Sequence, residues 1–278
     1  MSFKIKSLFK FDGKASLFIP YFLLAIFLII LPIIMIIVSA FSTKDFDAYV
    51  LVKDANTWNI IFRSLWIGIV SALLCLLIGF PYAYFVSISK SKIFKIFALS
   101  LIISPLAIFT VARIYSIKGL ALFVFASNPK SLNNELFIIF GLTYLNVPLM
   151  IILFYILYLK ISYKNIIEAS HDLGFNNVQT IFKVIIPYGT RAIISGLGII
   201  FLSSATTFIV SAKLLPDGSQ NQLIGTVINS KINPGNKYDL STGSMLVIVV
   251  SAIFIGIYSL LLIVPKIIFK LKKGAYYE

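Results

Sequence analysis

Long apolar runs alternate along the chain with short polar ones. Six runs reach the length of about 20 residues that a helix needs to cross the hydrocarbon core of a bilayer. They cover residues 17–41, 60–88, 96–115, 135–159, 191–213 and 241–265, each with at most a charge near one end. Pro32, Pro81, Pro105 and Pro148 fall inside or near these runs. Membrane helices tolerate such prolines because neighbouring groups re-satisfy the carbonyl that proline frees. The pattern predicts an all-α polytopic membrane protein with six transmembrane helices in one domain spanning 1–278. Small residues recur at helical spacing in the second span (Gly68, Ser71, Ala72, Cys75, Gly79) and the fifth (Ala192, Ser195, Gly196, Gly198). These stripes are expected to be packing faces, because helices in lipid associate through close backbone approach.

Composition sharpens this reading. The chain is 59% apolar and only 12% charged, with a net charge of +14. A soluble domain carries about twice that charged fraction. In a soluble protein the positive excess would point to nucleic acid. In a polytopic one it reports topology, because cytoplasmic segments collect Lys and Arg, and no nucleic-acid partner is expected. The N-terminus, 89–95, 160–191 and the C-terminus together hold 15 Lys/Arg, and the rest of the chain holds 9. Both termini and the 160–190 loop are therefore expected to be cytoplasmic. The first run follows Lys4, Lys6, Lys10 and Lys14, and Val38-Ser39-Ala40 has the form of a cleavage site. Its apolar stretch of about 24 residues exceeds the 7–15 of a signal sequence, so an uncleaved first helix is expected. Arg63, Arg113 and Lys213 fall near the helix ends on the charge-poor side. They either snorkel to water or line an outer vestibule.

Familiar catalytic chemistry is missing from the sequence. It contains no GxxxxGK[ST], GxSxG or HExxH pattern and no clustered metal ligands. Its one histidine is His171, and its one cysteine, Cys75, lies in an apolar run as a small buried residue would. No catalytic residue, metal site or cofactor is expected in this chain. The span interiors lack the acids that ion-coupled transporters use as relays, Glu135 standing at the start of the fourth span. Uphill transport would then draw its energy from another subunit at a cytoplasmic surface. A secondary transporter or channel working without ATP is the alternative.

One polar segment stands out, EASHDLGFNNVQTIFKVIIP at 168–187. A short helix is expected over 164–172, stopped at Gly174. A second helix follows, with Val178, Ile181, Phe182, Ile185 and Ile186 on one face, held against the membrane domain. Asn176, Asn177, Gln179, Thr180 and Lys183 take the other face, and Pro187 is expected to break the chain before the fifth span. An amphipathic loop lying on the lipid interface would show the same periodicity.

Glu168-Ala169-Ser170, Gly174 four residues beyond Ser170, and Val184-x-Ile186-Pro187 resemble the EAA loop of ABC importer permeases. Ser170 replaces the second Ala of that pattern, Val184 the Ile and Ile186 the Leu, and the spacing from Gly174 to Pro187 is kept. The resemblance implies the type I ABC importer permease fold, with this loop as a coupling helix seated in a cleft of a cytoplasmic ATPase. Glu168, Ala169 and Gly174 would then be docking residues, Ser170 and His171 would lie in the contact, and Pro187 would close the motif. ATP and Mg would belong to the partner ATPase, with no cofactor in this chain.

LLCLLIGFPYAYFVS (73–87), RIYSIKG (113–119) and FIVSAKLLPDGSQNQLIGTVI (208–228) extend the likeness over nearly the whole chain. They are similar to the first permease subunit of spermidine/putrescine importers. That family implies a second permease, two ATPase subunits, an extracellular solute-binding protein and a location in the bacterial cytoplasmic membrane. Thr206, Thr207, Phe208 and Ser211 are candidates to line the substrate path, and helix packing by small and hydroxyl residues explains them equally well. A polycation path favours carboxylates and aromatic faces. Here no span carries an internal acid, and Lys213 stands where polyamine permeases often carry one. A metal ion, an inorganic anion or a small organic cation stays open as the solute.

Overall fold

The computed structural model describes residues 19–42, 47–124, 134–160, 163–215, 221–233 and 235–274. The expected basic lead-in Lys4–Lys14 and residues 161–162 of the expected loop lie outside these. The described residues form helices joined by short turns, with no strand among them. Four helices are long and apolar enough to cross a membrane singly: Pro20–Phe41, Ala55–Ile88, Glu135–Tyr158 and Lys237–Ile263. Two bent helix pairs bring the number to six if each pair is one span. The chain divides into two compact units, 1–52 with 231–249 and 53–230 with 250–278.

The first unit contains helix α1 (Ile19–Phe41) and the short α2 (Val50–Lys53), which ends at the unit boundary. Nearly every apolar side chain of α1 from Tyr21 to Val38 faces outward. Such a surface is untenable in water and costs nothing in hydrocarbon. Ala40, Ala48 and Met245 pack together, with Val52 and Ile248 against them. The Ser241 hydroxyl donates to the Ala40 carbonyl at 3.2 Å. Within this unit Asn236 caps the start of the last helix, its Oδ1 accepting from the Tyr238 amide at 3.0 Å.

The second unit is built on α3 (Ala55–Ile88), α4 (Lys92–Ala107), α5 (Thr110–Val124) and α6 (Glu135–Lys160). It continues through α7 (Tyr163–Asp172), α8 (Asn177–Thr180), a π-helical turn Ile181–Ile185 and α9 (Ile186–Thr206). The short α10 (Ile209–Leu214) and α11 (Ile224–Lys231) follow, and α12 (Lys237–Gly274) contributes its later turns. Helices α3, α6 and α9 pack against one another, and α10 packs against α5 and α6. Small residues set this spacing. A Cβ on Gly68 would stand 2.9 Å from the Ala205 Cβ, and one on Gly79 would stand 3.0 Å from Met150. The small-residue stripes of α3 and α9 are thus packing faces. Cys75 is fully buried among them, its Sγ donating to the Thr143 carbonyl at 3.6 Å. Ile67, Ile114, Ile138, Leu142, Val210, Leu214 and Leu223 form the adjoining apolar core.

Two expected spans are not straight. The run 96–115 breaks at Ile108–Phe109, where α4 and α5 meet at 100°. Pro105 has no N–H to offer the Leu101 carbonyl, and the Ser104 hydroxyl takes that carbonyl instead at 3.2 Å. Ile108 then leaves the helix in an extended conformation. The run 191–213 contains a second break, because α9 ends at Thr206, Thr207 is extended, and α10 begins at Ile209. Prolines 32, 81 and 148 do lie within unbroken helices.

The second break is held by a close approach. A Cβ on Gly225 would lie 2.5 Å from the Thr206 carbonyl oxygen and 2.9 Å from the Thr207 carbonyl carbon. Both are backbone atoms and cannot swing aside. Gly225→Ala is therefore expected to destabilise the detergent-solubilised protein by about 1–3 kcal/mol through overpacking. Gly119→Ala, with no neighbour within 4 Å, should be neutral or slightly stabilising, as glycine in a helix interior costs about 1 kcal/mol against alanine. Thermal unfolding of the two variants checks the contrast.

Candidate functional site

The segment 168–187 folds as a helical bracket. Helix α7 ends in a glycine cap. Gly174 adopts φ +83°, the left-handed conformation that glycine enters without penalty. Its amide donates to the His171 carbonyl at 2.8 Å, and the Phe175 amide donates to the Ser170 carbonyl at 3.1 Å. These are the two bonds of the Schellman turn, and they satisfy carbonyls that a helix end otherwise leaves open. Two residues later Asn176 opens α8 with a reciprocal cap. Asn176 Oδ1 accepts from the Gln179 amide at 2.8 Å, and Gln179 Oε1 accepts from the Asn176 amide at 3.1 Å. One helix stops and the next starts within four residues, with their backbone groups bonded.

The two helices are tied by a buried hydroxyl pair. Ser170 is 3% exposed and Thr180 fully buried. Ser170 Oγ donates to the Ile167 carbonyl at 2.8 Å and lies 2.8 Å from Thr180 Oγ1. With the serine proton committed to Ile167, Thr180 is the donor to Ser170. Each hydroxyl proton has an acceptor, so the pair adds rigidity without leaving an unsatisfied group. Lys183 adds a cation–π contact, its Nζ 5.4 Å from the centre of the Phe175 ring.

The bracket brings Glu168, Ala169, His171 and Gly174 to one short, exposed stretch. Ser170 departs from the expectation of a contact residue, because its side chain turns beneath that surface toward Thr180. Pro187 departs as well. It does not end the second helix but lies in the first turn of α9, which continues through it. A π turn precedes it, in which Ile186 donates to Ile181 across five residues. The π turn also divides the expected apolar stripe. Ile185 is fully buried, while Val178 and Phe182 are 62% and 66% exposed. Beyond the bracket, the helices over 177–190 and 192–206 meet at 66°.

The path candidates divide too. Thr206, Thr207 and Phe208 reach the surface at the end of α9. Ser211 does not: it is 2% exposed, hydrogen-bonded to the Thr226 hydroxyl, and packs α10 against α11. Three polar residues that no sequence pattern singles out lie beside the path candidates. Asn146 donates from Nδ2 to Ser204 Oγ at 3.0 Å and accepts at Oδ1 from Ser203 at 3.3 Å. An amide at the middle of an apolar run is the signal that would have found Asn146.

The three cations near helix ends differ in role. Arg63 pairs with Glu135 at 3.1 Å, joining α3 to α6. Lys213 is exposed, and its carbonyl, with that of Leu215, accepts from Lys118 Nζ at 3.0 and 3.4 Å. A cation thus caps the negative end of α10. Arg113 does not snorkel: it is 8% exposed, and its Nη2 donates to the Thr110 hydroxyl at 3.2 Å. No cluster of three or more His, Cys, Asp or Glu residues suited to a metal ion occurs among the described residues.

Comparison with known proteins agrees with this architecture. No protein-family model matches the chain. A spermidine/putrescine transport system permease protein PotB homolog of Mycoplasma genitalium is 31% identical over 268 residues, covering 92% of this chain and 93% of its own. The homolog from Mycoplasma pneumoniae is 30% identical over 272 residues, at 93% and 94% coverage. PotB of Escherichia coli K12 is 30% identical over 227 residues, covering 72% of this chain and 79% of its own. Among solved structures, a bacterial ABC transporter involved in import of the acidic polysaccharide alginate superposes with a TM-score of 0.62. That match covers 92% of this chain and 98% of the other at 20% identity, and it shows the shared fold.

The buried pair generates a test. Ser170→Ala leaves the Thr180 hydroxyl without its acceptor and should cost about 1–3 kcal/mol of local stability. Ser170→Ala with Thr180→Val removes both partners and should cost less than the two single changes together. Hydrogen exchange of the amides at 173–181 reads the effect: fast exchange in the single variants, partly restored protection in the double.

Proposed function

Because the chain belongs to the PotB family of spermidine/putrescine transport system permeases, we propose that it is a membrane-spanning subunit of an ATP-driven polyamine importer. Its partners are a second permease, two ATPase subunits and an extracellular binding protein. ATP and Mg bind the ATPase subunits and supply the energy, and this chain performs the solute-conducting step. It resides in the bacterial cytoplasmic membrane, with both termini and the bracket on the cytoplasmic side.

The observation that carries the reading is the bracket over 163–190. A chain whose sequence carries no P-loop pattern, if it is to be driven by ATP, needs a stiff element through which another subunit can push. The Schellman turn, the reciprocal Asn176–Gln179 cap and the Ser170–Thr180 pair make α7 and α8 one body. Glu168, Ala169 and His171 are the face it offers to the ATPase, and the π turn and α9 carry the displacement toward the membrane helices. When the ATPase pair closes, the bracket moves with its cleft and the permease pair changes the side to which its path is open. Ser170 contributes as an internal tie, and Gly174 by permitting the turn. Glutamate at 168 belongs to the docking face, where a charge reversal opposes the partner surface.

Proteoliposomes holding both permeases, the ATPase and the binding protein should accumulate labelled spermidine when ATP is enclosed on the ATPase side. Absence of ATP-dependent spermidine or putrescine accumulation overturns the substrate. Glu168→Lys should lower uptake by roughly tenfold or more while the protein still inserts and ATP is still hydrolysed. Normal uptake by that variant would sink the docking assignment. A cysteine replacing His171 should react with membrane-impermeant maleimide only from the cytoplasmic face.

A further inference from the structure

At the centre of α3, α6 and α9 the hydroxyl and amide groups form a chain in which every proton points the same way. Ser203 donates to Asn146 Oδ1 at 3.3 Å, Asn146 Nδ2 to Ser204 at 3.0 Å, and Ser204 to Ser71 at 3.5 Å. Thr143 donates to the Ile139 carbonyl at 2.7 Å. In its 3.5 Å contact with Ser71, Thr143 is therefore the acceptor and Ser71 the donor. The chain starts at Ser203 and ends on a helix carbonyl.

Its inner members, Ser204, Ser71 and Thr143, are buried, and association of helices in lipid accounts for them. Ser203 also ties α9 to α6, but it is exposed, and its outward side takes no part in that tie. Its proton is committed inward, so it turns only lone pairs outward. A hydroxyl that donates is polarised into a better acceptor. Three residues on, Thr206 repeats the arrangement: it is exposed, and its proton is committed to the Leu202 carbonyl at 2.7 Å. Both stand in the last turn of α9, where the terminal carbonyls carry the negative end of the helix dipole. Phe208, just past the break, is 40% exposed, and an aromatic face attracts cations.

We propose that Ser203, oriented by Asn146, and Thr206, oriented by the Leu202 carbonyl, form at the end of α9 a subsite for an alkylammonium group. The assignment rests on the polyamine reading above and supplies an acceptor surface in spans that carry no internal acid. Neutral oxygens and a dipole end hold a cation weakly enough for it to move on, as conduction requires. The outward faces of the two hydroxyls offer no proton, so a solute that must accept hydrogen bonds gains nothing there. Ser211, bonded to Thr226, is not part of the subsite.

Cys75 is the chain's one cysteine and is buried, so Ser203→Cys carries a single accessible thiol. In the assembled importer that thiol should react with an aminoethyl methanethiosulfonate roughly tenfold faster than with a sulfonatoethyl one, each rate normalised to a free thiol. Spermidine should slow the first reaction. Equal normalised rates, or no reaction with either reagent in any nucleotide state, overturn the subsite. In uptake assays Ser203→Ala with Thr206→Val should raise the KM for spermidine by roughly tenfold, the effect of lost charge-assisted hydrogen bonds. Thr206→Ser, which keeps the acceptor, should retain the wild-type KM, and an unchanged KM in the double variant counts against the proposal. If the wild-type importer accumulates no polyamine, the import reading fails, and the thiol rates still decide the subsite.

Discussion

The approach of α3 to α9 at Gly68 and Ala205 sets the geometry of the bundle. Lipid tails are as apolar as leucine, so moving leucine from lipid to a helix interface gains little. What remains is dispersion between close surfaces and hydrogen bonds between polar groups. Both depend on distance. The glycine removes the side chain that would hold the helices apart, and within one turn Ser71 and Ser204 are near enough to bond. Thr143 and Asn146 join from α6 because α6 packs against both partners. The polar chain is thus a consequence of the small residues, and the two features share one origin.

The bracket obeys the opposite economy. Its helices are fixed by caps instead of by depth of burial. A glycine turn, a reciprocal amide cap and one hydroxyl pair hold α7 to α8 with few buried apolar contacts. The serine at the second alanine position of the EAA pattern is accommodated because Thr180 lies opposite it. The bracket gives way to the π turn, and Pro187 follows it in the first turn of α9.

Much of this was legible in the sequence because it rests on strong local signals. Runs of about 20 apolar residues and the Gly174 stop are such signals. The rest depends on pairs distant in sequence. The break at Ile108–Phe109 does not follow from Pro105, because Pro32, Pro81 and Pro148 sit in helices that continue. The fate of a proline depends on what takes the freed carbonyl and on what surrounds the turn. A 3.6-residue period places Val178 and Phe182 on the same face as Ile185, and the π turn interrupts that period. The inward turn of Ser170 required knowing that Thr180 lies across from it. Asn146 was readable as an amide in an apolar run, but its partners, 57 and 58 residues away, were not.

Helix α3 has 34 residues, which at 1.5 Å per residue makes a rod of roughly 51 Å. Even tilted by about 40° it projects roughly 39 Å along the membrane normal, against about 30 Å of hydrocarbon. In a bilayer its ends, the Asp54 cap and Ser89, would therefore reach the headgroup region. A rigid rod so mismatched makes bilayer thickness a mechanical variable. Any rocking that changes the tilt of α3 also changes how much of it the lipid must cover. On the import mechanism proposed above, acyl-chain length would then bias the tilt of α3 without touching a residue.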